Sequence, residues 1–348
     1  MKYNVAFFVL FCLLSFLHAD TIVTNKTTMK DVTITQETFK KVKYYYNNIG
    51  STSKQECDRT KVTILEITYS KLPIEMKNGN TYFENGSYEQ AIQSYKSLEQ
   101  NKKTIMRQHC LYKSGLCFMQ LGKYTDAIKI FQALLKNIPD TYYKADVAYQ
   151  LGICFMEKEE FDKAYGQFQD AMKYYEEINL IEQKNEARVL LAKSLDKANK
   201  LSEAITVYEQ LLFATKTVAI RKNIQVNLGN CYLKLEQYPK AQKIFLECLK
   251  TLNAKEKQHL ANIYLGLGKC LFQEQKVEDA LLCYLRVIIM YEPNYQIGRE
   301  AYERAIYCFT LLKDKKPEYA QRAVELRTEL EQKFPKQMTS EPKKKNSK

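Results

Sequence analysis

Four cysteines stand two residues after a glycine: GLC at Gly115–Cys117, GIC at Gly152–Cys154, GNC at Gly229–Cys231 and GKC at Gly268–Cys270. A thiolate can act as nucleophile, metal ligand or redox partner, so a recurring cysteine raises all three chemistries. Each asks for companions. Zinc and dithiol sites need CxxC-type spacing, and the chain has none. Beyond His18, which falls in an N-terminal apolar leader, the only imidazoles are His109 and His259, and no HExxH or EF-hand spacing occurs. The GLG at 266–268 does not follow a strand, so it is no nucleotide fingerprint, and no GxSxG or oriented Cys–His pair is present. The residues therefore define no catalytic, metal or cofactor site, and the chain reads as a non-enzyme.

The background composition is helical. Only 11 Gly and 7 Pro occur in 348 residues, Trp is absent and Tyr numbers 26. At 45% hydrophobic residues the chain can bury a core. The formal charge of +13 favours acidic partners through long-range steering. That charge is spread along the helices rather than gathered in a stripe, and no nucleic-acid motif accompanies it.

The first 19 residues carry Lys2, an apolar run from Val5 to Leu17 and the small Ala19 before Asp20. Thirteen apolar residues suit a secretory signal better than a membrane span. The expectation is a cleaved leader over 1–19, hence export to a periplasm or the exterior with no stable span after cleavage. The alternative is a membrane anchor by an uncleaved signal. Setting Cys12 aside with the leader leaves nine of the 10 cysteines, an odd number that cannot form a closed disulfide framework.

The glycines belong to a longer pattern. From Gly115, Phe118, Gly122, Tyr124, Ala127 and Phe131 follow at +3, +7, +9, +12 and +16. Gly79, Tyr82, Gly86, Tyr88, Ala91 and Tyr95 repeat every offset. Further copies start at Gly152, Ala192, Gly229 and Gly268, with starts 36 to 40 residues apart. Each copy reads as two helices. In every copy but the fourth, which has Ala192, the first carries the glycine, and the second buries an i, i+3, i+7 stripe beginning near +9. A helical glycine costs about 1 kcal/mol against alanine, so its recurrence requires a close helix–helix approach.

Six in-phase copies resemble the tetratricopeptide repeat, a helix–turn–helix unit of about 34 residues. The resemblance implies an all-α fold: an α-α superhelix, or solenoid, of about six clear repeats with degenerate capping helices. The expected divisions are the signal at 1–19, an N-terminal segment at 20–71, the array at 72–296, capping helices at 297–334 and a basic, unstructured tail at 335–348. Within 20–71, DTIVTNKTTMKDVTITQ reads as loose or extended. ETFKKVKYYYNN and QECDRTKVTILEITYSKL are expected to be two short helices forming a divergent first hairpin or cap. Equivalent cysteines of adjacent repeats are separated by a helix, and packed axes lie about 8–10 Å apart. They are beyond the roughly 7 Å disulfide limit and are expected to be buried, free thiols, with Cys57 alone exposed.

In the tetratricopeptide family partners bind along the groove of first helices. Positions −6, −3, +1, +4 and +5 from each glycine map there to Met76 and Phe83, to Tyr112, Leu116 and Met119, and to Tyr149, Ile153 and Met156. Further along they map to Lys193, Asn230, Lys234 and Lys269. The expected groove is apolar in its first half and basic later. The apolar residues have two readings, an anchor pocket for a partner or packing against the N-terminal segment. The junction NIPDTYYKADVAYQLG (137–152) resembles those of exported, periplasmic bacterial members of the family. That implies a scaffold binding a protein or peptide, with envelope components among its partners, in cell-envelope assembly or maintenance. The alternative is a carrier holding an anionic envelope polymer or glycan on the basic groove residues.

Overall fold

The computed structural model describes residues 20–46, 54–70, 72–101, 104–215, 217–291 and 294–335. The expected leader, and the tail from 336 onward, lie outside them. Five strands come first: β1 (Asp20–Thr24), β2 (Thr28–Glu37), β3 (Lys41–Tyr46), β4 (Gln55–Asp58) and β5 (Ile64–Thr68). Helices follow in pairs: α1 (Ile74–Glu84) and α2 (Tyr88–Lys96), α3 (Thr104–Gln120) and α4 (Tyr124–Asn137), α5 (Lys144–Glu157) and α6 (Phe161–Glu177), α7 (Ile181–Lys197) and α8 (Leu201–Ala214). Then come α9 (Val218–Lys234) and α10 (Tyr238–Leu249), α11 (Lys257–Gln273) and α12 (Val277–Met290), and α13 (Tyr295–Leu312) and α14 (Pro317–Lys333). The chain forms two compact units that meet in sequence between Asn199 and Lys200, in the turn of the fourth repeat.

The recurring glycine has a physical cause. In five repeats the aromatic ring at +16 lies directly on it: Tyr95 on Gly79, Phe131 on Gly115, Phe168 on Gly152, Phe245 on Gly229 and Tyr284 on Gly268. All five rings are fully buried. A Cβ on Gly79 would meet Tyr95 Cε1 at 2.5 Å, and the other four sites are as tight. Gly166, by contrast, sits mid-helix in α6 with open space where its Cβ would be. We expect Gly166→Ala to stabilise by about 0.5–1 kcal/mol through helix propensity. Gly152→Ala should destabilise, because overpacking costs roughly 1–3 kcal/mol and outweighs that gain. Urea unfolding of the two variants checks both signs.

The turn inside each repeat is also uniform. The +7 residue takes a positive φ in all six: Gly86 (74°), Gly122 (68°), Glu159 (60°), Asn199 (60°), Glu236 (57°) and Gln275 (62°). The amide after it reaches back to close the first helix, as Lys123 N–H does to Phe118 O at 2.9 Å and Lys276 N–H to Leu271 O at 3.0 Å. The left-handed residue reverses the chain so that the second helix returns along the first. The C-terminal pair ends on its own version of the glycine socket, with Phe334 packed on Gly298.

The expectation of an all-α fold is corrected over residues 20–68. The strands form one antiparallel sheet in the order β4-β3-β2-β1-β5. The two segments expected as short helices are strands, because period-2 burial of β-branched and aromatic residues outweighs the helical leaning of Lys, Gln and Leu. Val32 and Ile34 of β2 and Val42 and Tyr44 of β3 bury alternate side chains with Ile22, Met29 and Cys57 in a core of the sheet's own. Cys57, expected to be exposed, is 6% exposed and belongs to that core. The nine cysteines of the described residues are all free thiols, eight buried and Cys283 half-buried.

Candidate functional site

In the first unit, α3 and α5 are the first helices of the second and third repeats. Leu116, Met119, Ile153 and Met156 lie half-buried along them, as do Phe83 on α1 and Tyr112 and Tyr149 nearer the helix starts. Lys113 Nζ stands 4.5 Å from the Phe83 ring centre. Met76 is corrected from groove to core: it is 4% exposed and packs with Ala91, Tyr95 and Cys110, because the first helix turns that face onto its neighbours. Lys193 is exposed on α7.

The starts of α3 and α5 are taken by the chain itself. The β2–β3 hairpin turns at Thr38, whose hydroxyl donates to Lys41 O at 3.0 Å, and the turn delivers Glu37 and Phe39 into the helices. Glu37, 3% exposed, places Oε2 2.9 Å from His109 Nε2 and 3.0 Å from Gln108 Nε2, which donates to it. Gln108, fully buried, accepts on Oε1 from Thr141 Oγ1 at 2.8 Å and from the Tyr142 amide at 3.0 Å. With its proton on Nε2, His109 donates to Glu37, and its Nδ1 accepts from the Tyr143 hydroxyl. Tyr69 OH also lies 2.9 Å from Nε2. Tyr143 in turn stacks on Tyr112 at 4.1 Å between ring centres. Glu37 Oε1 is buried with no hydrogen-bond partner.

Phe39 enters a box of Ala145, Ala148, Tyr149, Tyr174 and Tyr175, edge-on to Tyr174 at 5.5 Å. Its amide donates to Asp140 O at 3.0 Å, and Arg59 Nη1 donates to both Phe39 O (2.9 Å) and Tyr142 O (2.8 Å). The Arg59 guanidinium lies 3.9 Å over the Tyr142 ring. Behind the box, Tyr175 OH donates to Asp146 Oδ1 at 2.8 Å, and burial pushes the Asp146 carboxyl above its ordinary value. Tyr149 lies against the cluster that holds Phe39, with its ring edge-on to Phe168 and Tyr175. Sequence reading missed Glu37, Phe39, Arg59, Gln108 and His109. The alternation in 28–37 marks a strand, but the pairing shifts between Ile34 and Gln36, so period 2 alone puts exposed Gln36 rather than buried Glu37 on the side of Val32 and Ile34.

The second unit brings two of the expected basic residues together. Lys234, at the end of α9, and Lys269, on α11, line one cavity of about 250 Å³ with Arg304 of α13. Tyr238 and Phe272 supply aromatic walls, and Phe272 packs on Tyr307 at 5.7 Å. Glu300 lies 2.7 Å from Lys269 and 3.5 Å from Arg304 and pairs with both. Asn230 is half-buried four residues before Lys234 on the same helix face. Arg304 was not foreseen, because it lies beyond the last clear repeat. Among the described residues no group of three or more His, Cys, Asp or Glu is placed to hold a metal, and no helix is long and apolar enough to cross a membrane.

Tetratricopeptide-repeat family models match residues 109–141 and 222–292. With the phased sockets and turns, these matches make the chain a tetratricopeptide-repeat protein, a fold class that serves as a protein-interaction scaffold. Solved structures agree at the level of fold. The C-terminal part of a repeat-containing protein of this class from Cytophaga hutchinsonii has a TM-score of 0.55 at 20% identity, covering 74% of this chain and 96% of that one. A tetratricopeptide repeat protein from Parabacteroides merdae gives 0.53 at 15% identity, covering 73% and 98%. The apo form of the quorum sensor NprR from B. thuringiensis gives 0.50 at 11%, covering 73% and 86%. No curated protein matches the chain significantly.

Proposed function

We propose that the protein is an exported, non-catalytic interaction scaffold whose second unit binds an acidic, apolar-flanked peptide segment of a partner protein. The observation that carries this reading is the cavity in which Lys234, Lys269 and Arg304 meet beside Phe272 and Tyr238. Three cationic side chains lining one cavity favour an anionic group, and the two rings give an adjacent apolar side chain a surface to bury. The apolar leader over Val5–Leu17 supports export, and the Pro–polar–aromatic junction at 137–152 supports a role among bacterial envelope proteins. Mass measurement of the N-terminus of protein recovered from fractionated cells tests export; an intact Met1 in the cytosol would overturn it.

Peptides selected from a random display library on the purified chain test the site. We expect selected sequences to pair Asp or Glu with a neighbouring apolar residue, and Lys234→Ala/Lys269→Ala to weaken them at least tenfold. Unchanged affinity in the double variant would sink the reading. The same three basic side chains favour a second occupant, an anionic polymer or glycan. Polyanion binding that falls steeply with salt, with no selected peptide surviving at moderate ionic strength, would favour it instead.

A further inference from the structure

The sheet of the first unit has its own core. Ile22, Val32, Ile34, Val42 and Tyr44 pack on one another, and partly buried Ile105 and Tyr142 from the helical part lie against them. What enters the helices is the hairpin tip: a carboxylate at Glu37 and, two residues on, a ring at Phe39, both 3% exposed or less. The receiving surface is specific for that pair. His109 and Gln108 present two donors to one carboxylate oxygen, and the box of Ala145, Ala148, Tyr149 and Tyr174 accepts one aromatic side chain. The backbone at Asp140 and the guanidinium of Arg59 fix the turn between them.

The attachment is incomplete in one respect. Glu37 Oε1 is buried without a donor, which penalises the docked state relative to one in which that oxygen meets water or a better-placed donor. The sheet also meets the helices through Ile105 and Tyr142, through Arg59 on Tyr142 and through Lys40 at 2.8 Å from Glu177. The part suited to release without unfolding is therefore the tip with its unsatisfied oxygen, while the sheet keeps its core.

We propose that the hairpin tip is an internal ligand. It reversibly fills a receptor site formed by α3, α5 and α6, and that site accepts in exchange a partner turn bearing a carboxylate two residues before an aromatic side chain. Occupancy by the chain's own hairpin sets the threshold a partner must exceed, because a tethered competitor acts at high effective concentration. This site is separate from the cationic cavity of the second unit.

The test uses the full chain and a labelled hairpin peptide of residues 32–46, closed by a disulfide between Val32→Cys and Tyr46→Cys, which face each other across β2 and β3. The Phe39→Ala chain, whose internal competitor is weakened while the receptor surface is untouched, is expected to bind the peptide at least tenfold more tightly than the natural chain. Arg59→Ala, which loosens the clasp from the sheet side, should act in the same direction and decides the matter where Phe39→Ala loses helical circular dichroism. A peptide that itself carries Phe39→Ala should not bind, and adding His109→Leu to the Phe39→Ala chain should abolish binding. Equal affinity for natural and variant chains, or no binding by well-folded Phe39→Ala and Arg59→Ala chains, overturns the proposal. Lys234→Ala/Lys269→Ala should leave this titration unchanged, so failure here does not bear on the second-unit cavity, nor the reverse.

Discussion

Raising the pH from 9 to 11 is expected to unfold the protein cooperatively. Burial pushes the thiols of Cys110, Cys154 and Cys270 from their ordinary 9.0 up to about 12, and those of Cys117, Cys248 and Cys308 up to about 11. All six are fully buried. For a group whose folded pKa is raised, the stabilisation is complete below the unfolded pKa and is lost as pH climbs toward the folded one. Each thiol therefore removes about 1.4 kcal/mol per pH unit above 9. Three of the six lie in each compact unit, so each unit loses on the order of 4 kcal/mol per pH unit. A domain stability of roughly 5–15 kcal/mol is consumed within a few units of pH. Burial also raises Tyr44, Tyr142 and Tyr232 to about 12, which steepens the loss above pH 10. Helical circular dichroism and thiolate absorbance at about 240 nm, recorded together, should change in one transition. Thiolate absorbance rising near pH 9 with the helices intact would show that the cysteines are not buried as described.

Phe245→Ala should destabilise the second unit by about 3–5 kcal/mol, the range for deleting a buried aromatic side chain. The ring is fully buried between two glycines, Gly229 of its own repeat and Gly266 of the next, each of which would clash with it if given a Cβ. Neither helix can close on the void without moving a repeat, so little of the loss is recovered by relaxation. Phe213→Ala, at a ring 96% exposed, should stay within about 0.5 kcal/mol of the natural chain. The socket makes a sharper claim in combination. Gly229→Ala should be destabilising alone and neutral or stabilising in the Phe245→Ala background, with a coupling energy of about 1–3 kcal/mol in a double-mutant cycle followed by urea unfolding. Additive effects would mean that ring and glycine do not share the site.

The helical array was legible because its packing rule is periodic. The ring at +16 and the small residue at 0 are one contact repeated, so each copy corroborates the others. The turn was only half legible: Gly86 and Gly122 announce a left-handed residue, while Glu159, Glu236 and Gln275 adopt the same φ without the residue type that signals it. The sheet was missed where QECD and ILEIT are short and rich in residues that also suit helices. The hairpin site was invisible for a different reason: His109 and Glu37 are 72 positions apart, and a lone histidine on a repeat helix has no local partner to mark it. In the second unit Lys234 and Lys269 followed from family positions, whereas Arg304 required knowing how the capping helix lies on the last repeat.

The hairpin's place in the first unit also orders events during synthesis. Residues 20–68 leave the ribosome before any of their helical partners, and the surface that receives Phe39 is not complete until Tyr174 and Tyr175 have followed. At 5–20 residues per second that is a delay of roughly 7–30 s. Throughout it a carboxylate and a ring meant for burial are exposed on a nascent sheet, whose β4 and β5 also offer open edges to other strands. The buried residues of the sheet's core, Ile22 to Cys57, all precede the helices in sequence, so the strands have one another to pair with before the third repeat arrives.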